Sequence, residues 1–203
     1  ATHFANCSGY IRITDCLFEN QKDDATNIHG LYARIDSILS EEELLVKLVH
    51  PQQYGVRFIT PNQKIEFVDA PSLKTYTQNE VKMVEYINKE YMKVTVKQPL
   101  SKQVKLKDGI ASIADQPDVL IKNCRMRGNR ARGFLLGSRG KIIIENNYFH
   151  IPGAAILFEG DCRYWFEQAG VQDIIIRKNT FDNCFYGTWG NAVIQVGSGI
   201  EQG

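Results

Sequence analysis

The sequence predicts an all-β protein in which a parallel β-helix is interrupted by a small inserted β domain. Three observations lead to this fold class. Four segments share one strand pattern, each is followed by a second short strand that ends in glycine, and residues 36–114 break the pattern. With 203 residues the chain can bury a core, in one large domain or two small ones.

The four similar segments alternate aliphatic and polar residues and then place Asn or Cys before a Phe or Met. They read YIRITDCLFEN, DVLIKNCRMRGN, KIIIENNYFHI and DIIIRKNTFDN, and they align at Cys16, Cys124, Asn147 and Asn179. Such period-2 segments, recurring after about 23 residues where nothing is inserted, are typical of β-helix coils. Asn suits the turn because it tolerates left-handed backbone, and amides of stacked coils can bond one another. Unrelated strands of a sandwich are the alternative.

The second strands predict which side chains share a face. They read TNIHG, FLLG, ILFEG and VIQVG, and aligning their glycines (Gly30, Gly137, Gly160, Gly197) superimposes His29, Leu136, Glu159 and Val196. A second column then contains Asn27, Phe134, Leu157 and Ile194. Because stacked strands lie about 4.8 Å apart, the polar members of these columns should gather on one outer face.

The stretch that breaks the repeat is predicted to be a small β-barrel or sandwich. It contains charged alternating strands, and VKMVEYI-NKE-YMKVTVK has the pattern of a hairpin. Its aromatic residues fit a core better than a sugar-stacking surface. The predicted domains are therefore a β-helix at 1–35 and 115–203 and an inserted β domain at 36–114.

Composition excludes several classes of function. The chain has 24 basic and 23 acidic residues, so we expect no nucleic-acid partner. It contains no apolar run of membrane-spanning length and no signal peptide. Its five cysteines form no CxxC pair, so we expect no zinc site, at least one unpaired thiol, and free cysteines in the core.

The segment ENQKDDATNIHG concentrates polar chemistry just before a predicted strand. Asp23 and Asp24 fall near a bend, where both side chains can point outward. Two close carboxylates resist simultaneous ionisation, so one could carry a proton while the other acts as a base. That combination suits cleavage of a glycosidic bond by inversion. An exposed turn or a calcium-binding pair are the alternatives.

Other polar and aromatic residues are predicted to bind the substrate. His29 could bond a sugar hydroxyl, and Trp165 and Trp189 could stack on a sugar, although structural roles fit these residues too. Glu167 is predicted to be a helix-surface residue. The predicted substrate-binding set is Asn27, His29, Arg132, Glu159, Asp161, Trp165 and Trp189.

Two long stretches carry a family resemblance. CLFENQKDDATNIHG and GAAILFEGDCRYWFEQAGVQDIIIRKNTFDNC resemble glycoside hydrolase family 110, the bacterial α-1,3-galactosidases, which remove terminal α-galactose including that of the blood-group B determinant. The resemblance implies a right-handed parallel β-helix with an inserted β-barrel, inversion of configuration, and neither metal nor cofactor. It also implies a periplasmic or secreted bacterial enzyme whose signal peptide is outside this chain.

Carried over to this sequence, the resemblance assigns the family's paired catalytic aspartates to Asp23 and Asp24. We predict Asp23 as the general acid and Asp24 as part of the base. The family also uses a carboxylate from a preceding coil, so this chain is expected to be a fragment truncated at both ends, inactive by itself. Exposed coil ends would then allow a homo-oligomer to form.

Two alternatives remain open. A polygalacturonase-like inverting hydrolase would need a cluster of Arg and Lys for uronates, whereas only Arg132, with Arg130 near it, lies on the candidate face. A non-catalytic glycan-binding β-helix would need no acid beside a base.

Overall fold

A computed structural model describes residues 1–168 and 170–197, and this part of the chain is all-β. The end of the predicted second β-helix segment, 198–203, lies outside the described residues. In chain order the strands are β1 (Thr2–Ala5), β2 (Tyr10–Thr14), β3 (Leu17–Glu19), β4 (Thr26–Leu31), β5 (Ala33–Ile38), β6 (Glu43–Lys47), β7 (Lys64–Val68), β8 (Thr75–Tyr86), β9 (Tyr91–Val96), β10 (Gly109–Ser112), β11 (Asp118–Lys122), β12 (Arg125–Arg127), β13 (Phe134–Gly137), β14 (Lys141–Glu145), β15 (Tyr148–His150), β16 (Ile156–Phe158), β17 (Glu167–Gln168), β18 (Asp173–Arg177), β19 (Thr180–Phe181) and β20 (Ile194–Val196).

One short 3-10 helix, Pro51–Gln53, follows β6. Among the described residues, no helix is long and apolar enough to cross a membrane. Glu167 lies in strand β17, so the helix predicted for its segment is wrong. The described chain divides into two compact units. The first, the parallel unit, contains residues 1–29, 116–159 and 170–197, and the second, the barrel unit, contains 30–115 and 160–168.

The parallel unit consists of three sheets to which successive repeats contribute in rotation. Their strand orders are β1-β4-β13-β16-β20, β18-β14-β11-β2 and β19-β15-β12-β3, and the neighbours named in each order pair in parallel. Parallel pairing places equivalent residues of successive repeats side by side. Their inward aliphatic and aromatic side chains form one core cluster, in which Phe149 stacks on Phe181 with ring centroids 5.0 Å apart.

The turn alignment predicted from Asn and Cys is confirmed. Residue 17 pairs with 125, 125 with 148 and 148 with 180, so the residues before them are neighbours as predicted. The Asn147 Oδ1 accepts the Cys124 N–H at 2.8 Å, and the Asn147 amide Nδ2 donates to Asn179 Oδ1 at 2.9 Å. The predicted amide bonds between stacked turns are therefore present.

The left-handed residue lies one position earlier than predicted. Asp15, Asn123, Asn146 and Lys178 have φ between 55° and 57°, and each lies directly before the aligned Cys or Asn. The buried amide is thus free to bridge repeats because its neighbour supplies the bend. A second, exposed ladder joins the bend residues, since Asn146 Nδ2 donates to Asn123 Oδ1 at 2.6 Å and Asn123 Nδ2 to Asp15 Oδ1 at 3.0 Å.

The glycine alignment of the second strands is wrong by one residue for half of the repeats. His29 pairs with Gly137 rather than Leu136, and Asn27 pairs with Leu135 rather than Phe134. Leu157 pairs with Gln195 and Phe158 with Val196. Gly30 is not a strand end but a contact residue inside β4, because a Cβ there would lie 2.0 Å from Gln168 Oε1.

The barrel unit contains a closed barrel of six strands in the order β10-β5-β6-β9-β8-β7, with antiparallel pairing throughout. The predicted hairpin is confirmed as β8 and β9. The interior of the barrel is a separate apolar cluster that includes Ile35, Val46, Phe67 and Val94. β17 pairs antiparallel with Gly30 and Leu31.

All five cysteines are free thiols, with Cys124 and Cys162 buried. Burial raises the pKa of both thiols, which keeps them protonated and unreactive near neutral pH.

Candidate active site

The bend that enters β4 separates the two adjacent aspartates. Asp23 is exposed, whereas Asp24 is only 3% exposed. Both lie before the first residue of β4, so strict strand alternation does not apply to them. The paired carboxylates therefore have different surroundings, as two residues with different tasks require.

Asp24 is held by the equivalent residue of the next repeat, Arg132. Arg132 Nε donates to Asp24 Oδ1 at 2.9 Å and Arg132 Nη2 to Oδ2 at 3.0 Å, while the Arg132 backbone N–H also donates to Oδ1 at 3.0 Å. This two-pronged geometry is the strong form of the arginine–carboxylate pair. It accounts for about three of the four acceptor positions of the carboxylate, so one position on Oδ2 remains.

Arg132 is surrounded by negative charge. Burial lowers the pKa of its guanidinium, but the hydrogen bond and charge of Asp24, with the charges of Glu159 and Asp23, outweigh burial and raise this pKa. Arg132 is therefore a permanent cation among three carboxylates, and Glu159 itself is half-buried just after β16. The parallel unit thus brings four of the predicted site residues into one electrostatic cluster.

The loop that carries Asp23 is hydrogen-bonded to the next repeat at successive positions. The Gln21 N–H donates to the buried Asn129 Oδ1 at 3.0 Å, the Arg130 N–H donates to Gln21 O at 2.8 Å, and Arg130 Nε donates to Lys22 O at 2.6 Å. Arg130 also lies over the ring of Trp189, 5.2 Å from its centroid. Trp189 is 42% exposed, and its ring, which was predicted to stack on a sugar, contacts the Arg130 guanidinium in this structure.

Asn27 and His29 lie two residues apart on β4 and share one side of the strand, while Ile28 joins the core cluster on the other. Both are 6% exposed. His29 Nε2 lies 3.0 Å from His3 Nε2, a hydrogen bond in which one imidazole donates and the other accepts. His3 was missed by the sequence prediction, although THFA before the first repeat has the same form as TNIH and pairs with it as β1.

Asp161 and Trp165 belong to the barrel unit. Asp161 Oδ1 accepts the N–H groups of residues 163, 164 and 165 at 2.8, 2.7 and 3.0 Å, so it closes a turn. Trp165 is 46% exposed and lies against His50, with ring centroids 4.9 Å apart.

Together these features define the class of the chain: an all-β protein whose parallel strands carry a cluster of carboxylates around a partly buried arginine, with a closed barrel inserted. Residues 43–110 match the family described as GLAA-B beta-barrel domain II. Alpha-1,3-galactosidase A of Shewanella woodyi is 42% identical over 194 residues, which are 95% of this chain and 32% of the relative.

Two further relatives carry similar names. Alpha-1,3-galactosidase B of Akkermansia muciniphila is 34% identical over 205 residues, 100% of this chain and 26% of the relative. Alpha-1,3-galactosidase B of Bacteroides thetaiotaomicron is 35% identical over 179 residues, 88% of this chain and 29% of the relative. These matches confirm the resemblance: the chain belongs to the family of these alpha-1,3-galactosidases. It spans about a third of their length or less.

Proposed function

We propose that this chain is part of an exo-acting, inverting glycoside hydrolase that removes terminal α-1,3-linked galactose from glycans. The single observation that carries the proposal is the cluster of Asp23, Asp24 and Glu159 around Arg132, in a chain whose relatives are named alpha-1,3-galactosidases. Blood-group B type and linear α-galactosides are both candidate substrates.

The two aspartates suit different steps of such a reaction. Asp24, faced by a permanent cation in a two-pronged contact, fits the role of an anion that helps position and activate water through its remaining Oδ2 position. Asp23 is the exposed member of the pair and fits the role of the acid that protonates the leaving oxygen. In inversion, water attacks the anomeric carbon while the bond between this carbon and the leaving oxygen breaks.

The three parallel sheets support a proposal for the fold as well. Successive repeats contribute one strand to each sheet in the same order, which is the arrangement of a parallel β-helix, and we propose a right-handed one. A secreted or periplasmic location is proposed from the family resemblance. So is the absence of a metal or cofactor requirement.

The alternative functions have less support. A uronate-cleaving enzyme needs free cations, whereas Arg132 is engaged by Asp24 and Arg130 by the Lys22 carbonyl. A glycan-binding protein without activity would not need two carboxylates in such different surroundings. The catalytic hypothesis is therefore the one that the geometry favours.

The test uses the full-length parent protein and a terminal α-1,3-galactoside. General acid catalysis contributes about 10²–10⁴-fold, so we expect kcat to fall by about that factor in Asp23→Asn and severely in Asp24→Asn. Asp173→Asn is the matched control, because Asp173 is an exposed aspartate of the same unit, at the start of β18. Undiminished galactose release by both site variants would refute the catalytic assignment.

Nuclear magnetic resonance of the first product tests the stereochemistry separately. Inversion predicts that β-galactose appears first and then mutarotates, whereas retention would release α-galactose. Cleavage of polygalacturonate without galactose release would favour the uronate-cleaving alternative.

A further inference from the structure

We propose that His50, Tyr164 and Trp165 form an aromatic platform on the barrel unit that binds a pyranose ring of a glycan. Tyr164 is 64% exposed and Trp165 is 46% exposed. Their rings meet at 85° with centroids 4.9 Å apart, and His50 contacts both, at 5.8 Å from Tyr164 and 4.9 Å from Trp165. The proposal rests on the proposed function only in taking a glycan as the ligand.

The platform is supported by a turn that has little freedom. Asp161 accepts the N–H groups of both aromatic residues, and the side chain of the buried Gln53 also bonds the turn. Gln53 Nε2 donates to Trp165 O at 2.8 Å and to Phe166 O at 3.0 Å. The side chains of Asp161 and Gln53 therefore fix the backbone that carries the two exposed rings.

Phe166 adds a second constraint. Its φ of 55° is unusual for a bulky residue, and such a strained backbone persists only where the surroundings require it. Phe166 is 2% exposed, and its carbonyl accepts the Tyr32 N–H at 2.8 Å. In this conformation the Phe166 side chain is buried while those of Tyr164 and Trp165 are exposed to solvent. The backbone conformation therefore holds the two exposed rings in place.

The shape and chemistry of the platform fit a neutral sugar. A pyranose has one face of C–H groups that stacks on an aromatic ring, and its hydroxyl groups can bond the Tyr164 hydroxyl, the Trp165 N–H and the His50 nitrogens. Two rings at nearly a right angle provide a corner, in which one ring covers the C–H face and the other lies along the edge. All three side chains combine an apolar body with a polar end, which suits a sugar better than an aliphatic ligand.

Tryptophan fluorescence tests the platform directly, because the chain contains only two tryptophans. In the chain carrying Trp189→Phe, Trp165 is the sole indole, and we expect a saturable change in its emission on titration with α-1,3-galactobiose. Galactitol is the matched control ligand, because it has the hydroxyl groups of galactose but no ring face. The fold of each variant is checked by circular dichroism.

In the same background we expect Tyr164→Ala to weaken binding by about tenfold, the factor that corresponds to one aromatic contact. His50→Ala should weaken it less, and Tyr186→Ala, which removes an exposed tyrosine of the parallel unit, should leave it unchanged. The proposal is overturned if the emission does not saturate, if galactitol produces the same change, or if Tyr164→Ala binds as tightly as its background. Because binding is measured without hydrolysis, the outcome is independent of the Asp23→Asn and Asp24→Asn assays.

Discussion

Asp24 and Arg132 occupy the same position in successive repeats, 108 residues apart in the chain. The same separation joins Gln21 to Asn129 and Lys22 to Arg130, so the inserted residues leave the phase of the two repeats unchanged. Extending the Cys16 and Cys124 alignment without a gap would have predicted this pair from the sequence. That Asp24 is buried and Asp23 exposed could not be predicted, because it depends on how the bend turns the two neighbours.

The ion pair between buried Asp24 and partly buried Arg132 gives a prediction about stability. Removing one partner leaves an uncompensated buried charge, so Arg132→Met should lower the free energy of unfolding by about 3–5 kcal/mol. The exposed Arg177, which pairs with Glu145, is the control, and Arg177→Met should cost about 0–1 kcal/mol. Urea denaturation of this chain measures both.

The double variant Asp24→Leu/Arg132→Met separates stability from function. Replacing both charges with apolar groups should recover most of the stability lost in Arg132→Met, while the parent enzyme carrying it stays inactive. A double variant as unstable as Arg132→Met would show that packing, rather than an unpaired charge, causes the loss.

At the scale of the element, each turn of the parallel unit places an exposed left-handed residue directly before the aligned Asn or Cys, and two of these aligned side chains, Cys124 and Asn147, are buried. The aligned positions predicted the register correctly because the side chains of Asn147 and Asn179 each accept a backbone N–H of the preceding repeat. The glycines predicted the register incorrectly because they do not have the same structural role in every repeat. Gly30, for example, is needed because a side chain there would collide with Gln168. A landmark is reliable only where the same physical cause recurs in every repeat.

Two adjacent asparagines provide a test of these roles. Asn147 is 2% exposed and bonds the Cys124 N–H and the Ile121 carbonyl, so Asn147→Ala should cost about 2–3 kcal/mol by leaving buried groups without partners. Asn146→Gly keeps the left-handed bend and loses only an exposed bond, so it should change the unfolding free energy by less than about 0.5 kcal/mol. Equal losses in the two variants would contradict the division of roles.

A charged row on the neighbouring sheet gives a dependence on pH. Hydrogen bonds from Lys122 and then Arg177, outweighing burial, lower the pKa of Glu145, which lies between them in register. A lowered pKa in the folded chain contributes stability above the pKa of the unfolded chain, and this contribution is lost as the pH falls through the folded value. Urea midpoints of wild type and Glu145→Gln should therefore differ at pH 7 and converge in acid. A constant difference across that range would contradict the linkage.

For the whole molecule, the sequence pattern predicted an all-β chain with an inserted β domain because the repeat breaks within residues 36–114, where charged alternating strands take its place. Residues 160–168 are different: they follow a repeat strand in sequence, yet they cluster with the barrel unit. Their backbone is held by Gln53 and Tyr32, which lie more than 100 residues earlier, so no local pattern could have predicted their place. Trp165 was predicted to stack on a sugar, but its grouping with His50 and Tyr164 was missed for the same reason.

Each unit has its own apolar core, and this leads to the last prediction. Ile144 and Ile35 are fully buried, one in each core cluster, and an isoleucine-to-alanine change at such a position costs about 2–5 kcal/mol. Hydrogen exchange followed by mass spectrometry should show Ile144→Ala accelerating exchange mainly in β11, β14 and β18, because these strands pair around the lost side chain. Ile35→Ala should act mainly on β5, β6 and β10, its neighbours in the barrel. The two variants delete the same atoms, so any difference between the exchange patterns reports which core was weakened. Identical patterns across both units would instead mean that the chain opens as one cooperative body, and the description of two separate cores would have to be abandoned.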